Sequence, residues 1–176
     1  GWVYINLGTV NFFENNYSNA IKMYKKSMEC EELDFQSICY LAECYKWINK
    51  SDSSRKYFSM ALKKYESDPN VIDEDNLPLV ADCYAQLGNK TKARDLIQRS
   101  TKQPITDPGS CVTVAGVYEQ IGDRELSLQW IEKGIENGYP LKQIEKSPTF
   151  KNLRSDSRYL TMKKRFNHKT KKQTAH

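Results

Sequence analysis

The sequence predicts an all-α fold, an α-solenoid of stacked antiparallel helix pairs. Three observations carry the prediction. Small residues recur at Gly8, Ala42, Ala81 and Ala115, at spacings of 34, 39 and 34 residues. Around them apolar residues fall at helical rather than alternating spacing, as in Ile38, Leu41 and Tyr45. A second small residue, Ala20, Ser54, Ala93 or Ser127, follows each of the first set. Two helices approach to about 8–10 Å only where the side chains at their crossing are small. A helix pair of this length cannot bury its own apolar face and must stack on a neighbour.

Taken in order, the first unit, 1–34, reads Tyr4, Leu7 and Gly8, then Tyr17, Ala20, Tyr24 and Ser27. The second, 35–68, places Ile38, Leu41, Ala42 and Tyr45 ahead of Ser54, Phe58 and Ala61. In the third, 74–106, Leu77, Val80, Ala81 and Tyr84 lead to Ala93, Ile97 and Ser100. The fourth, 108–138, has Cys111, Val114, Ala115 and Tyr118, then Ser127, Ile131 and Gly134. Between the helices of each pair, Asn15-Asn16, Asn49-Lys50, Gly88-Asn89 and Gly122-Asp123 share one slot. Gly and Asn tolerate the left-handed conformation that ends a helix. Asn11 departs from the aromatic slot, and the polar stretch from Ser67 to Asp73 reads as an insertion in a longer loop.

Beyond the fourth unit, 140–166 is expected to form capping helices. Ser147-Pro148 and Ser155-Asp156 offer helix starts, and Phe150, Leu153, Tyr159, Leu160 and Phe166 offer apolar cover. An open solenoid end needs such a shield. The last stretch, 167–176, is expected to be a basic disordered tail.

The order large, Leu, small, aromatic, then small, aromatic, small resembles the tetratricopeptide repeat, with four matched units over roughly residues 1–137. The string from Ser147 to Tyr159 is also similar to the closure that follows such arrays in bacterial multidomain regulators. The resemblance implies a right-handed α-solenoid and a scaffold that binds a partner peptide or helix in a concave groove lined by the first helix of each unit. Carried over slot by slot, the groove residues are Asn6, Thr9 and Phe12 from the first unit, with Trp2 and Ile5 beside them. The second supplies Gln36, Tyr40, Glu43 and Trp47, with Cys39 facing inward among them. Asp75, Leu79, Asp82 and Gln86 come from the third, and Thr113 and Gln120 from the fourth, next to Val112 and Gly116. Repeats that grip the carboxylate tail of heat-shock chaperones use Lys, Asn and Arg in the groove. Here the corresponding slots hold Ile5, Thr9, Tyr40, Asp75 and Leu79, so no such binding is expected.

Charge agrees with that exclusion. From Lys151 onward nine Lys and Arg face one acid, Asp156, a balance of +8, so the other 150 residues carry −3 of the net +5. An acidic groove suits a basic or amphipathic helical protein or peptide partner better than an acidic one. Nucleic acid is not expected as a partner, because a phosphate footprint needs a basic face along the folded body. The support for RNA is confined to Arg158, Lys163, Lys164, Arg165, Lys169, Lys171 and Lys172. Self-association as a homo-oligomer, in a sensor arm of a signalling protein, is the alternative reading, with RNA binding through the basic C-terminal tail ranked below it.

Catalysis lacks its groups. His168 and His176 are the only histidines and both lie in the tail, so no imidazole base stands in the repeats. Glu31-Glu32 and Asp73-Glu74-Asp75 sit beside repeat turns, where a solvated helix end accounts for them. No glycine-rich phosphate loop is present. Cys30, Cys39, Cys44, Cys83 and Cys111 form no CxxC pair, so neither metal nor cofactor is expected. Cys44 and Cys83 share a slot with Val10 and Val117 and read as small buried hydrophobes. A non-enzymatic, cytoplasmic protein with reduced thiols is expected, and no run of about 18 apolar residues could span a membrane. The chain starts inside a repeat without methionine, which suggests a piece of a larger assembly or regulator.

Overall fold

The computed structural model describes residues 1–30, 33–68 and 73–173, with side chains through Asn167. Glu31 and Glu32, most of the expected insertion and the last three residues lie outside the described residues. Helices are α1 Trp2–Phe13, α2 Tyr17–Met28, α3 Phe35–Trp47, α4 Ser51–Ser67, α5 Leu77–Gln86, α6 Lys90–Ser100, α7 Pro108–Ile121, α8 Arg124–Glu136, α9 Leu141–Lys146 and α10 Ser157–Gln173. Short 3-10 turns occupy Glu74–Asn76, Pro148–Phe150 and Leu153–Ser155. No strand occurs among the described residues, and none of their helices is long and apolar enough to cross a membrane.

The chain forms two compact units, 1–100 and 101–176. The first holds three hairpins, α1–α2, α3–α4 and α5–α6, with α2 packed on α3 and α4 on α5. The small residues sit where those helices meet. Ala20, Ala42, Ala81 and Ala93 are fully buried and Ser54 nearly so. At Gly8 an added Cβ would lie 2.8 Å from Cε1 of Tyr24, whose ring is itself fully buried. Glycine there is a packing requirement.

Local chemistry closes each hairpin. Asn15 (φ 62°), Asn49 (φ 58°), Gly88 (φ 89°) and Gly122 (φ 94°) all adopt the left-handed conformation. The following N–H returns to a carbonyl five residues back, as in Asn16 to Asn11 at 2.8 Å and Asp123 to Tyr118 at 2.8 Å. This bond satisfies a carbonyl that a plain helix end would leave open. Gly138 (φ 105°) repeats the device after α8, with Tyr139 N–H returning to Gly134 at 2.8 Å. At the other ends, Asp34, Asp107 and Asp123 accept backbone N–H bonds from Ser37, Ser110 and Leu126 at 2.8, 2.7 and 3.3 Å. Asn11 bonds its own helix at the Leu7 carbonyl, 2.7 Å away.

The second unit pairs α7 with α8, crossing at Ala115, Ser127 and Gly134. Ile144, Phe150, Leu153, Tyr159, Met162 and Phe166 join Ala115, Leu128 and Ile131 in one buried cluster. Asp156 opens α10 by accepting the Arg158 N–H at 3.0 Å. Its bond to the Arg158 guanidinium, first among its influences, holds its carboxyl down at about 2. The expected disordered tail differs from what is found, since α10 continues as helix through Gln173. No glycine or proline interrupts 167–173, and lysines there favour a helix C-terminus.

Candidate functional site

In the first unit α1 neighbours α3, and α3 neighbours α5. Residues on the facing sides of neighbouring helices therefore meet. One group is aromatic. Phe12 stacks on Tyr40 with centroids 4.8 Å apart, and Tyr17 stacks on Trp47 at 5.0 Å, both at 22°. Phe12 meets Tyr17 edge-on at 6.0 Å, and Phe13 meets Tyr40 edge-on at 5.8 Å. Gln36 donates its amide N–H to the Tyr40 hydroxyl at 3.0 Å. Such ring pairs add about 0.5–1.5 kcal/mol each beyond area burial. Phe12, Tyr17, Tyr40 and Trp47 remain only partly covered, and Phe13 is 65% exposed.

The second group is acidic. Glu43 and Asp82 occupy the same slot on α3 and α5, and the Gln86 amide reaches both carboxylates, at 3.4 Å and 3.2 Å. Lys46 approaches Glu43 at 3.0 Å, and the two side chains are only 17% and 21% exposed. Burial pushes the Glu43 carboxyl above the ordinary range, Lys46 pulls it back, and Asp82 adds to the rise. The folded state thus holds the Glu43 proton more tightly than the unfolded chain, where a carboxyl titrates near ~4.3. Its stabilising effect is full below that value and is lost as pH rises through the folded value. Glu43→Gln is therefore expected to raise the thermal midpoint at neutral pH, the gain vanishing toward pH ~4. A variant less stable than wild type at neutral pH would show that the Lys46 ion pair outweighs the burial of charge.

The structure thus brings together Phe12, Tyr40 and Trp47, and separately Glu43, Asp82 and Gln86. Asn6 is exposed, Leu79 half-buried, and Asp75 exposed in the 3-10 turn before α5. Thr9 serves its own hairpin, donating to the Ile5 carbonyl at 3.0 Å and lying 3.0 Å from the Tyr24 hydroxyl. Cys39 differs from expectation, being buried against Cys83 rather than lining a surface.

In the second unit Thr113 and Gln120 bond their own helix, at the Gly109 and Gly116 carbonyls. Gly116, expected in the groove, is buried, and a Cβ there would lie 3.4 Å from Thr149 and 4.0 Å from Phe150. The segment after α9 folds over this side of α7 because Phe150 belongs to the buried cluster. Three of the C-terminal cations are paired. Arg158 binds Glu125 at 2.7 Å and Asp156 at 2.8 Å, Lys163 binds Glu145, and Arg165 binds Glu132.

Sequence reasoning missed Tyr17 and Phe13 as members of the aromatic group, and Lys46 as the counter-charge. Tyr17 carried a signal, since the equivalent slots hold Ser51, Lys90 and Arg124. An aromatic in a slot otherwise polar marks a surface with another use.

Compared with known proteins, residues 3–31 match the tetratricopeptide repeat family. The chain is 22% identical over 157 residues to DnaJ homolog subfamily C member 3 of Gallus gallus, covering 81% of the chain. It spans 29% of that relative's length. Among solved structures it is similar to the crystal structure of MamA, at 15% identity and a TM-score of 0.47, over 97% of this chain and 98% of that one.

Proposed function

We propose that this chain, whose residues 3–31 match the tetratricopeptide repeat family, does non-catalytic work as an interaction scaffold that holds a partner peptide or helix against α1, α3 and α5 in a concave groove. The observation that carries the reading is the half-open aromatic group at Phe12, Tyr17, Tyr40 and Trp47 beside the Glu43–Asp82 carboxylate pair. Rigid aromatic side chains offer large contact area at small entropic cost and dominate interface energetics. The carboxylates favour a basic or amphipathic partner over an acidic one. In this reading Asn6, Gln36, Leu79 and Gln86 form the polar and aliphatic margin. Such a scaffold would work as part of a larger cytoplasmic assembly.

The test is selection from a peptide library, followed by affinity measurement for the enriched peptides. Enrichment of Lys- and Arg-bearing amphipathic peptides is expected, with at least about a tenfold loss of affinity in Tyr40→Ala and in Trp47→Ala, or ~1.4 kcal/mol each. Both variants must first be shown helical by circular dichroism. Unchanged affinity in both would remove the aromatic group from the binding surface.

A second reading, self-association, has its own observation. α1 carries no charged residue, and Val3, Leu7 and Val10 stand exposed on it beside Trp2 at 68%. In α3 and α5 the slots of Leu7 and Val10 hold Leu41, Cys44, Val80 and Cys83, all fully buried. A dimer mass by light scattering, returned to monomer by Val10→Glu, would favour that reading if the peptides fail to bind.

A further inference from the structure

Two thiols in the first unit stand in an arrangement that neither scaffold binding nor hairpin packing requires. Cys39 on α3 and Cys83 on α5 lie 44 residues apart in sequence, with their sulfurs 3.5 Å apart in the fold. Both are reduced and buried, Cys39 at 2% exposure and Cys83 at zero. We propose that Cys39 and Cys83 form an oxidisable dithiol whose disulfide staples the second repeat to the third.

The geometry suits the bond. A disulfide needs its sulfurs at about 2.05 Å, so an approach of about 1.5 Å is required. Rotation about the two Cα–Cβ bonds, with a slight closing of α3 on α5, already neighbours, would supply that movement. The other cysteines lack this relation. Cys30 is exposed just past the end of α2, Cys44 is buried on α3 in the slot that Cys83 fills on α5, and Cys111 bonds the Ile105 carbonyl in the second unit.

The step balances with a two-electron acceptor such as an azodicarboxamide. One thiolate adds to the N=N bond, and the second thiol displaces it at sulfur, forming S–S. Both S–H bonds are lost, and the acceptor leaves as the hydrazine with two new N–H bonds. Burial raises the Cys83 thiol, and Cys39, Asp82 and Glu43 add to the rise. The Cys83 thiolate is therefore scarce at neutral pH, which slows closure.

The location gives the bond a consequence. Cys39 is one turn before Glu43, and Cys83 adjoins Asp82, so the staple would fix the separation of α3 and α5 at the two carboxylates. It would also close a loop of 44 residues, which restricts the unfolded chain. Formation of the bond does not depend on the scaffold reading; only its effect on a bound partner would.

The experiment treats the full chain, folded, with an azodicarboxamide oxidant, blocks residual thiols, and maps disulfides by mass spectrometry without reduction. The expected result is loss of two hydrogens per chain, a crosslinked peptide pair joining Cys39 to Cys83, and a higher thermal midpoint that a dithiol reductant reverses. Cys39→Val and Cys83→Val should each abolish both effects. Their slots accept the change, since Val112 and Val117 fill them in the fourth repeat. Recovery of both thiols in reduced form from the folded protein would overturn the proposal. So would a crosslink that joins Cys30, Cys44 or Cys111 instead. The mapping is made on wild type, so it stands even if one variant folds poorly.

Discussion

Truncating Phe150 to alanine is expected to lower the stability of the second unit by about 3–5 kcal/mol. Phe150 is 1% exposed and packs with Ile131, Ile144, Leu153, Tyr159 and Met162 in one cluster. Its backbone lies in a 3-10 turn flanked by Pro148 and by the irregular stretch to Leu153, so little local structure would survive loss of the ring. The cavity would also open toward Gly116 of α7, which has no side chain of its own to fill it. Chemical denaturation followed by helix content measures the change. Leu160→Ala, at a position 43% exposed, is the control and should move the midpoint little, within about 0.5 kcal/mol. A loss under about 1 kcal/mol for Phe150→Ala would mean that the C-terminal segment is not held by this cluster.

Gly8→Val is the second large effect, at about 3 kcal/mol, with opposite physics: a group inserted where there is no space. The new Cβ would sit 2.8–3.0 Å from three atoms of the Tyr24 ring. That ring is fully buried, and its hydroxyl, 3.0 Å from Thr9, loses a hydrogen bond if it swings away. Relief must come from separating α1 and α2, which would also shift Phe12 and Tyr17. Gly8→Ala suffers the same contact, and the ~1 kcal/mol that alanine normally gains over glycine in a helix does not appear. Thermal unfolding by circular dichroism reads both variants. A wild-type midpoint in Gly8→Val would show that the hairpin crossing is looser than this contact implies.

Most of the architecture was legible because it is written in short-range periodicity. The helix pairs follow from small residues at Gly8, Ala42, Ala81 and Ala115 and their partners twelve positions on. The turns follow from Asn15, Asn49, Gly88 and Gly122, which adopt the left-handed conformation that their slot requires. Each of these features involves one helix or one hairpin, so a few neighbouring residues settle it.

The candidate site was legible only in part, for a related reason. Slot-by-slot reasoning placed Phe12, Tyr40 and Trp47 on one face because that face repeats along first helices. It overlooked Tyr17 because second helices were assigned to packing, and Phe13 and Lys46 because neither stood among the slots carried over. It could not tell that Gly116 lies beneath Phe150, since nothing in α7 announces what a segment thirty-odd residues later will do. The expectation for 167–173 failed for a different reason: composition rich in lysine suggested disorder, while the helical path of α10 simply continues.

By itself, then, the sequence determined that this is a chain of paired helices whose first helices carry aromatic and acidic residues. Only tertiary structure decided which of those residues meet: Tyr17 on Trp47, Glu43 with Asp82, Cys39 against Cys83. Periodicity specifies the face of a helix on which a residue stands. Which residue stands opposite depends on the angle and offset at which two helices pack, and that is set by all the side chains between them.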